Sequence, residues 1–350
     1  MAPELTPIVA RVLASGQMLQ GPEVARLEAD LAALCGRKHA ICVASGTDAL
    51  FFSLVGLGIG PGDEVLVPDV SFIATASAVV RTGARPVLVD VDPGCLIDLC
   101  RAAEAVTERT RAILIVQLFG AMADPARVCD FAERYGLQVL EDAAQAFGAR
   151  FGSTPAGALG AVSALSFDPM KVLSAPGSGG AVLTDDDDLA AHARRLRYHG
   201  REDGRYVELG YNSQLPSLAA AVLSAKLEHH PAWTVTRREI AAQLSAALSD
   251  LPIEQPALDP RVEHAWHKFV IRLDRRDALA SHLAAAGVPT MVHYPRPFHR
   301  EELFGAQPDD HFPAASSHAH RALSLPIHAQ LTDEEVERIA LAVRRFFGVA

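Results

Sequence analysis

The sequence predicts an α/β protein, with a mostly parallel sheet covered by helices on both faces and a smaller α+β domain after it. Three observations carry this. Short β-branched runs alternate with helical patterns from residue 24 to about residue 140, and Gly and Asp turns join them. After Pro256 that alternation gives way to a looser mixture of strand and helix patterns. At 350 residues the chain is long enough for two units. We expect a large domain over 1–235, including an N-terminal helical segment, and a small one over 236–350.

The elements follow in order. Val24, Leu27, Leu31 and Leu34 recur at helical spacing, and Gly36 ends the run. His39 to Ala44 reads as a strand and Ala49 to Leu57 as a helix. Next come Glu64–Pro68 (strand), Ile73–Val80 (helix), Pro86–Asp90 (strand) and Leu99–Val106 (helix). Ala112–Val116 (strand), Ala126–Tyr135 (helix) and Gln138–Leu140 (strand) continue the alternation. A strand end around Leu165 and a strand over Ala181–Thr184 follow. Leu189–Tyr198 and Ser217–Glu228 read as helices, and a further helical pattern to about Leu251 is broken near Pro231. Beyond it lie Phe269–Leu273 (strand), Asp277–Ala286 (helix), Thr290–Val292 (strand) and a closing helix over Asp333–Phe347.

Composition narrows the function. A formal net charge of −10 argues against a nucleic-acid binder, which needs a basic patch. The five cysteines are odd in number and lack Cys-x-x-Cys spacing, so they read as reduced thiols and not as a metal site. No signal-peptide pattern opens the chain and no apolar run is long enough to span a membrane, so a cytoplasmic protein is expected.

Four stretches at strand-to-helix turns carry chemistry, where sites of parallel sheets lie. Ser45-Gly46-Thr47 opens a helix, where free N–H groups favour an anion, and Gly46 permits close approach. The plainer reading is a helix cap. Asp142, in Glu141-Asp142-Ala143-Ala144-Gln145-Ala146, stands at a strand's carboxyl end beside small residues that leave room for a flat ring. A buried carboxylate there needs a cationic or N–H partner, and a pyridinium nitrogen would supply one; the alternative is again a cap. Phe72 is either core or a stacking face for that ring. Lys171 follows Asp168-Pro169 and precedes Gly177-Ser178-Gly179-Gly180. Desolvation there disfavours its charged form and makes it an amine nucleophile; the alternative is a surface lysine.

Together these residues resemble the DegT/StrS-type family of pyridoxal-phosphate-dependent sugar aminotransferases, in the fold-type I superfamily. The likeness runs nearly the whole chain. It includes Gly21-Pro22-Glu23, Ser45-Gly46-Thr47-Asp48-Ala49-Leu50, Gly60-Pro61-Gly62-Asp63-Glu64-Val65, the Asp142 stretch, and Ser166-Phe167 with Pro169 and Lys171. It continues through His199-Gly200-Arg201, Gly210-Tyr211-Asn212-Ser213, Trp266-His267, His293-Tyr294-Pro295 and Leu325-Pro326. The resemblance implies a seven-stranded sheet and pyridoxal 5'-phosphate as cofactor. Lys171 would bond the cofactor and then carry the proton, Asp142 would pair with the ring nitrogen, Gln145 would lie near the ring hydroxyl, and Phe72 would stack on the ring. Gly46, Thr47 and Ser166 would hold the phosphate. Asn212 would reach the phosphate of a neighbouring subunit, which implies a homodimer with shared sites. His293 and Tyr294 would fall on the substrate side or serve packing. The implied reaction moves an amino group from glutamate or glutamine to a keto-sugar, nucleotide-linked by preference, with a keto-cyclitol as the related alternative. A sugar dehydratase of this superfamily would lack Lys171, and a non-catalytic regulatory homologue would have no need of the site. Phe147 stands where many members have His, and Asp168 and Met170 also depart from the family pattern. These differences bear on the substrate more than on the cofactor.

Overall fold

The computed structural model describes residues 2–256 and 258–349. Its centre is a seven-stranded sheet. The strands are β1 (His39–Val43), β2 (Glu64–Pro68), β3 (Arg85–Val89), β4 (Thr110–Val116), β5 (Gln138–Asp142), β6 (Val162–Ser166) and β7 (Gly180–Thr184). Their order across the sheet is β1-β7-β6-β5-β4-β2-β3. All pairings are parallel except those of β7, which runs antiparallel to both neighbours. The central strands read as unbroken apolar runs because both faces are covered. On β4, Leu114 and Val116 join the core on one face, while Ile113 and Ile115 pack with Val128 and Phe131 on the other.

Helices α1 (Ala2–Ser15), α2 (Pro22–Cys35), α3 (Gly46–Gly56), α4 (Ala74–Arg81), α5 (Leu99–Ala105), α6 (Pro125–Tyr135) and α7 (Asp187–Arg197) accompany the sheet. Local chemistry sets their ends. Gly36 adopts φ 63° after α2 and its neighbour Arg37 donates back to the Ala32 carbonyl at 2.9 Å. Asp98, Asp124 and Asp186 cap α5, α6 and α7 with their carboxylates.

Helix α8 (Ser217–Ala247) is a single 31-residue helix, which corrects the expected break at Pro231. The proline forfeits one backbone hydrogen bond and costs about 3 kcal/mol. The two halves of the helix outweigh it. Leu223 and Leu227 enter the core beneath β1, β6 and β7, and Ile240, Ala241 and Leu244 enter a separate C-terminal core. Each buried leucine or isoleucine contributes roughly 1.5–3 kcal/mol.

The C-terminal region holds β8 (Phe269–Arg272), α9 (Arg276–Ala285), α10 (Pro313–Arg321), β9 (Ala322–Leu325) and α11 (Asp333–Phe346). Strands β8 and β9 pair antiparallel. Phe269 and Ile271 point into the C-terminal core, while Val270 joins the main one. The strand expected at Thr290–Val292 is reduced to one bridge between Met291 and Ser324. Pro289 lacks the amide that would extend the ladder. Helix α10 and strand β9 had no signal in the pattern reading. Among the described residues no helix is long and apolar enough to cross a membrane.

Candidate active site

The carboxyl edge of the sheet collects the candidate residues. Val43, Gly180 and Ser166 are register neighbours there, as are Val116, Asp142 and Ala164. Helix α3 begins directly on this edge. The Ser45 hydroxyl accepts the Asp48 N–H at 3.1 Å, so Ser45 is indeed a cap. The cap and the anion site are compatible, because the amides of Gly46 and Thr47 keep no protein acceptor among the described residues. A Cβ on Gly46 would lie 2.7 Å from Ser166 Cβ and 2.9 Å from its hydroxyl. One on Gly180 would lie 2.5 Å from the Ser45 carbonyl oxygen and 2.7 Å from the Gly46 nitrogen. Two glycines therefore let the helix start press against the strand ends, beside the Ser166 hydroxyl. The result is a small cup of donors suited to a phosphate.

Asp142 is the last residue of β5 and is buried. Turns, not a helix, follow it, so it caps no helix. It accepts the Thr75 hydroxyl at 2.9 Å and the Ala144 N–H at 3.1 Å. Thr75 is in turn bonded to the Ser71 hydroxyl at 2.8 Å. Burial raises the carboxyl pKa above its ordinary value, against the pull of Lys171, the Ala144 amide and Thr75. Lys171 lies in the turn after β6, its amide donating to the Asp168 carbonyl at 2.9 Å. Its ammonium has no hydrogen-bond acceptor among the described residues. Burial lowers its pKa, with Asp142 and then Asp168 opposing the shift. A half-desolvated amine facing a buried carboxylate is the arrangement a nucleophilic lysine needs.

Gln145 is buried between two contacts. Its amide donates to the Tyr294 hydroxyl at 3.0 Å, and its carbonyl accepts the Phe119 N–H at 3.1 Å. Phe119 stacks on Tyr294 with ring centroids 6.4 Å apart. His293 is bonded through Nδ1 to the Ser324 hydroxyl at 2.8 Å. Burial, then Lys268 and Lys171, push its pKa down to about 4, so it is neutral at pH 7. His318 donates Nε2–H to the His293 carbonyl at 2.8 Å, which leaves its Nδ1 to accept the Cys95 thiol at 3.1 Å.

Phe72 is 53% exposed, which rules out the core reading. Asn212 is exposed too, and its side chain has no bond to the described residues. Its loop is pinned on both sides. Tyr211 packs on Phe51 and Phe52 at 5.2 and 5.5 Å, and the Ser213 hydroxyl donates to Asp48 at 2.8 Å. Glu141, next to Asp142, is spent on structure: it accepts Gln117, Ser163 and the amides of Gly157 and Leu159. Sequence patterns alone do not point to Thr75, Phe119, His318 or Lys268, and they give His267 no role. Thr75 lies one helical turn from Ser71, a spacing that would have exposed it; the others carry no local signal.

The donor cup, the buried carboxylate and the free amine fit a phosphorylated, basic aromatic cofactor with a carbonyl. Comparison with known proteins agrees. Residues 1–344 match the model of the DegT/DnrJ/EryC1/StrS aminotransferase family. The chain is 41% identical over 358 residues to a pleiotropic regulatory protein of Geobacillus stearothermophilus, covering 99% of this chain and 96% of the other. It is 43% identical over 348 residues to the dTDP-3-amino-3,4,6-trideoxy-alpha-D-glucose transaminase of Streptomyces venezuelae, covering 98% and 92%. Among solved structures, S. venezuelae DesV in complex with a ketimine intermediate superposes with TM-score 0.96 at 43% identity, covering 99% and 94%. Bacillus subtilis NtdA with bound cofactor PMP superposes with TM-score 0.91 at 29% identity, covering 99% and 82%. The chain belongs to the DegT/DnrJ/EryC1/StrS aminotransferase family.

Proposed function

We propose that this aminotransferase uses pyridoxal 5'-phosphate to move an amino group from glutamate, or glutamine, to a keto-sugar carried on a nucleotide. The observation that carries the reading is Lys171, an amine without a protein acceptor, held opposite buried Asp142 at the carboxyl edge of the sheet. When bound, the cofactor supplies a carbonyl for the amino group and a ring that accepts electrons. The residues do the rest. The Gly46 and Thr47 amides and the Ser166 hydroxyl would hold the phosphate. Asp142, oriented by Thr75 and Ala144, would keep a proton on the ring nitrogen. Gln145 would lie near the ring hydroxyl, and exposed Phe72 would stack on the ring. Lys171 Nζ would hold the cofactor and, once freed, would serve as the base and acid that takes up and returns the substrate proton in both halves of the reaction. Tyr294 and His293 close the substrate side, His293 as a neutral group.

The sugar nucleotide as acceptor rests on the transaminase relative, whose name specifies a dTDP-sugar. The regulatory name of another relative leaves a non-catalytic role as the competing reading. The complete site supports catalysis, and Lys171 speaks against a dehydratase. We place the functional assembly at a homodimer, with Asn212 reaching the partner's phosphate. Exposed Phe72, Met170, Tyr206, Leu209 and Tyr211 give such a dimer apolar surface to bury. The division at 235/236 is kept as a proposal, supported by the separate core between Ile240 and Val343. Borohydride reduction of the purified protein followed by peptide mapping tests the central claim. The pyridoxyl mass is expected on the Lys171 peptide; a label on Lys226 or Lys268, or none, would overturn it. Incubating the amino form with keto-sugar nucleotides and keto-cyclitols then identifies the acceptor by return of the aldehyde absorbance.

A further inference from the structure

Lys268 stands just before β8, and alternation along that strand fixes its direction. Phe269 and Ile271 belong to the C-terminal core, while Val270 belongs to the main core. Lys268 shares the parity of Val270 and Arg272, so it faces the cleft between the two. There it lines a cavity with Phe119, His264, His318, Cys95 and Arg272, which adjoins the site through Phe119 and His318 and is not lined by Lys171 or Asp142. Its amide donates to the Phe119 carbonyl at 3.2 Å, and Phe119 is the residue tied to Gln145 and stacked on Tyr294. The backbone of Lys268 is thus anchored to the wall of the active site.

Its ammonium has no hydrogen-bond or ion-pair partner among the described residues. Of the other cations nearby, Arg272 has an acid partner, while Arg237 is bonded only to carbonyls and keeps an unpaired Nε. Arg272 donates to the Pro93 carbonyl at 2.7 Å and to Glu254 at 3.0 Å. Arg237 donates to the carbonyls of Trp266 and Ile327 at 2.8 and 3.0 Å. His267 and His293 are held neutral by burial. Lys171 has Asp142 and Asp168 to oppose it. The groups acting on Lys268 are burial, Lys171 and Arg237, with no acid among them. A half-buried, unneutralised ammonium within electrostatic reach of Lys171 is costly unless an anion arrives with the substrate.

Resting on the aminotransferase reading above, we infer that Lys268 receives the carboxylate attached to the reacting carbon of the amino donor. The geometry selects that anion. In an α-amino acid the carboxylate is one bond from the carbon that yields its nitrogen at Lys171. A keto-sugar carries no charge at its reacting carbon, and its charged groups sit on the nucleotide. Lys268 therefore serves the donor half of the cycle and determines that the donor is an α-amino acid.

The test measures the two half-reactions separately by absorbance in the holoenzyme. Lys268→Met keeps the aliphatic stem and removes the charge, and Lys268→Arg keeps the charge. We expect Lys268→Met to weaken saturation by glutamate and by glutamine alike, by about 10- to 100-fold, as for a lost charged hydrogen bond. The keto-sugar half should stay within about twofold, and Lys268→Arg should recover most of the donor affinity. Binding of 2-methylglutamate, which lacks the proton that Lys171 removes, gives the same comparison without turnover. Unchanged donor binding would overturn the inference, as would a loss confined to the keto-sugar half. So would a loss for glutamate alone, which would assign Lys268 to the side-chain carboxylate. A wild-type enzyme unable to use any amino acid would instead overturn the aminotransferase reading itself.

Discussion

Asp142 illustrates how much one side chain is asked to do. It is buried at a strand end with two neutral donors and one facing ammonium, and burial still holds its pKa above the ordinary value of 3.8. The folded protein therefore holds this proton more tightly than the unfolded chain does. For such a group the unfolded chain loses its proton first. Stability contributed by this site falls as pH rises from about 3.8 towards the raised value. A bound ring nitrogen bearing a proton removes that cost. Asp142→Asn keeps the shape and discards the charge. We expect turnover to fall roughly 100-fold or more, about 3 kcal/mol in the barrier, because the ring no longer draws electrons. In the cofactor-free protein, the wild-type-minus-variant difference in unfolding free energy should slope downward with pH above about 3.8, as measured by denaturant titration. Near-normal turnover in the variant would reduce Asp142 to an anchor for Thr75 and Ala144.

At the scale of elements, the junction of α3 with β6 and β7 makes the donor cup, and Gly180 is the residue that permits the contact. It touches no ligand in the proposed site. Its absent Cβ would meet backbone atoms of Ser45 and Gly46, which cannot rotate away as a side chain can. Gly180→Ala must push the helix start off the sheet edge, a strain of about 1–3 kcal/mol. The expected outcome is a lower melting temperature and weaker retention of cofactor on dialysis. Gly60→Ala is the control, since its Cβ would meet only the Thr82 carbonyl oxygen, at 4.0 Å. Equal cofactor retention in both variants would place the phosphate elsewhere. This junction was largely readable from the chain, because strand, turn and helix are contiguous from His39 to Gly56 and the chemistry sits at the turn. The same holds for Asp142, at the end of a strand, and for Lys171, in the turn that follows one. What escaped reading depends on contacts between distant segments. Phe119 matters through Gln145 and Tyr294, and Lys268 through its backbone bond to Phe119. Pro231 misled for the converse reason: a local breaker was overruled by two cores gripping one helix.

The whole molecule raises the question of what covers Phe72 and Asn212, the two predicted site residues left exposed. A phosphate needs more donors than two amides and one hydroxyl provide once it is out of water. Asn212 belongs to a loop that Tyr211 and Ser213 fix against the start of α3, so it is presented rigidly outward. In an isologous dimer the same loop of each subunit is offered to the other's site. Complementation distinguishes sharing from a loop that acts within its own chain. Lys171→Ala removes the proposed nucleophile, and Asn212→Asp would set a negative charge against the phosphate in the proposed dimer; each homodimer should be inactive. Mixing, dissociating and reassociating the two yields mixed dimers. If the loop crosses, one of the two sites in a mixed dimer draws Lys171 and Asn212 from different, intact sources, so activity returns to about half that of a wild-type dimer per mixed dimer. If the loop stays with its own chain, each site keeps one defect, and activity stays absent although native mass spectrometry finds the mixed species.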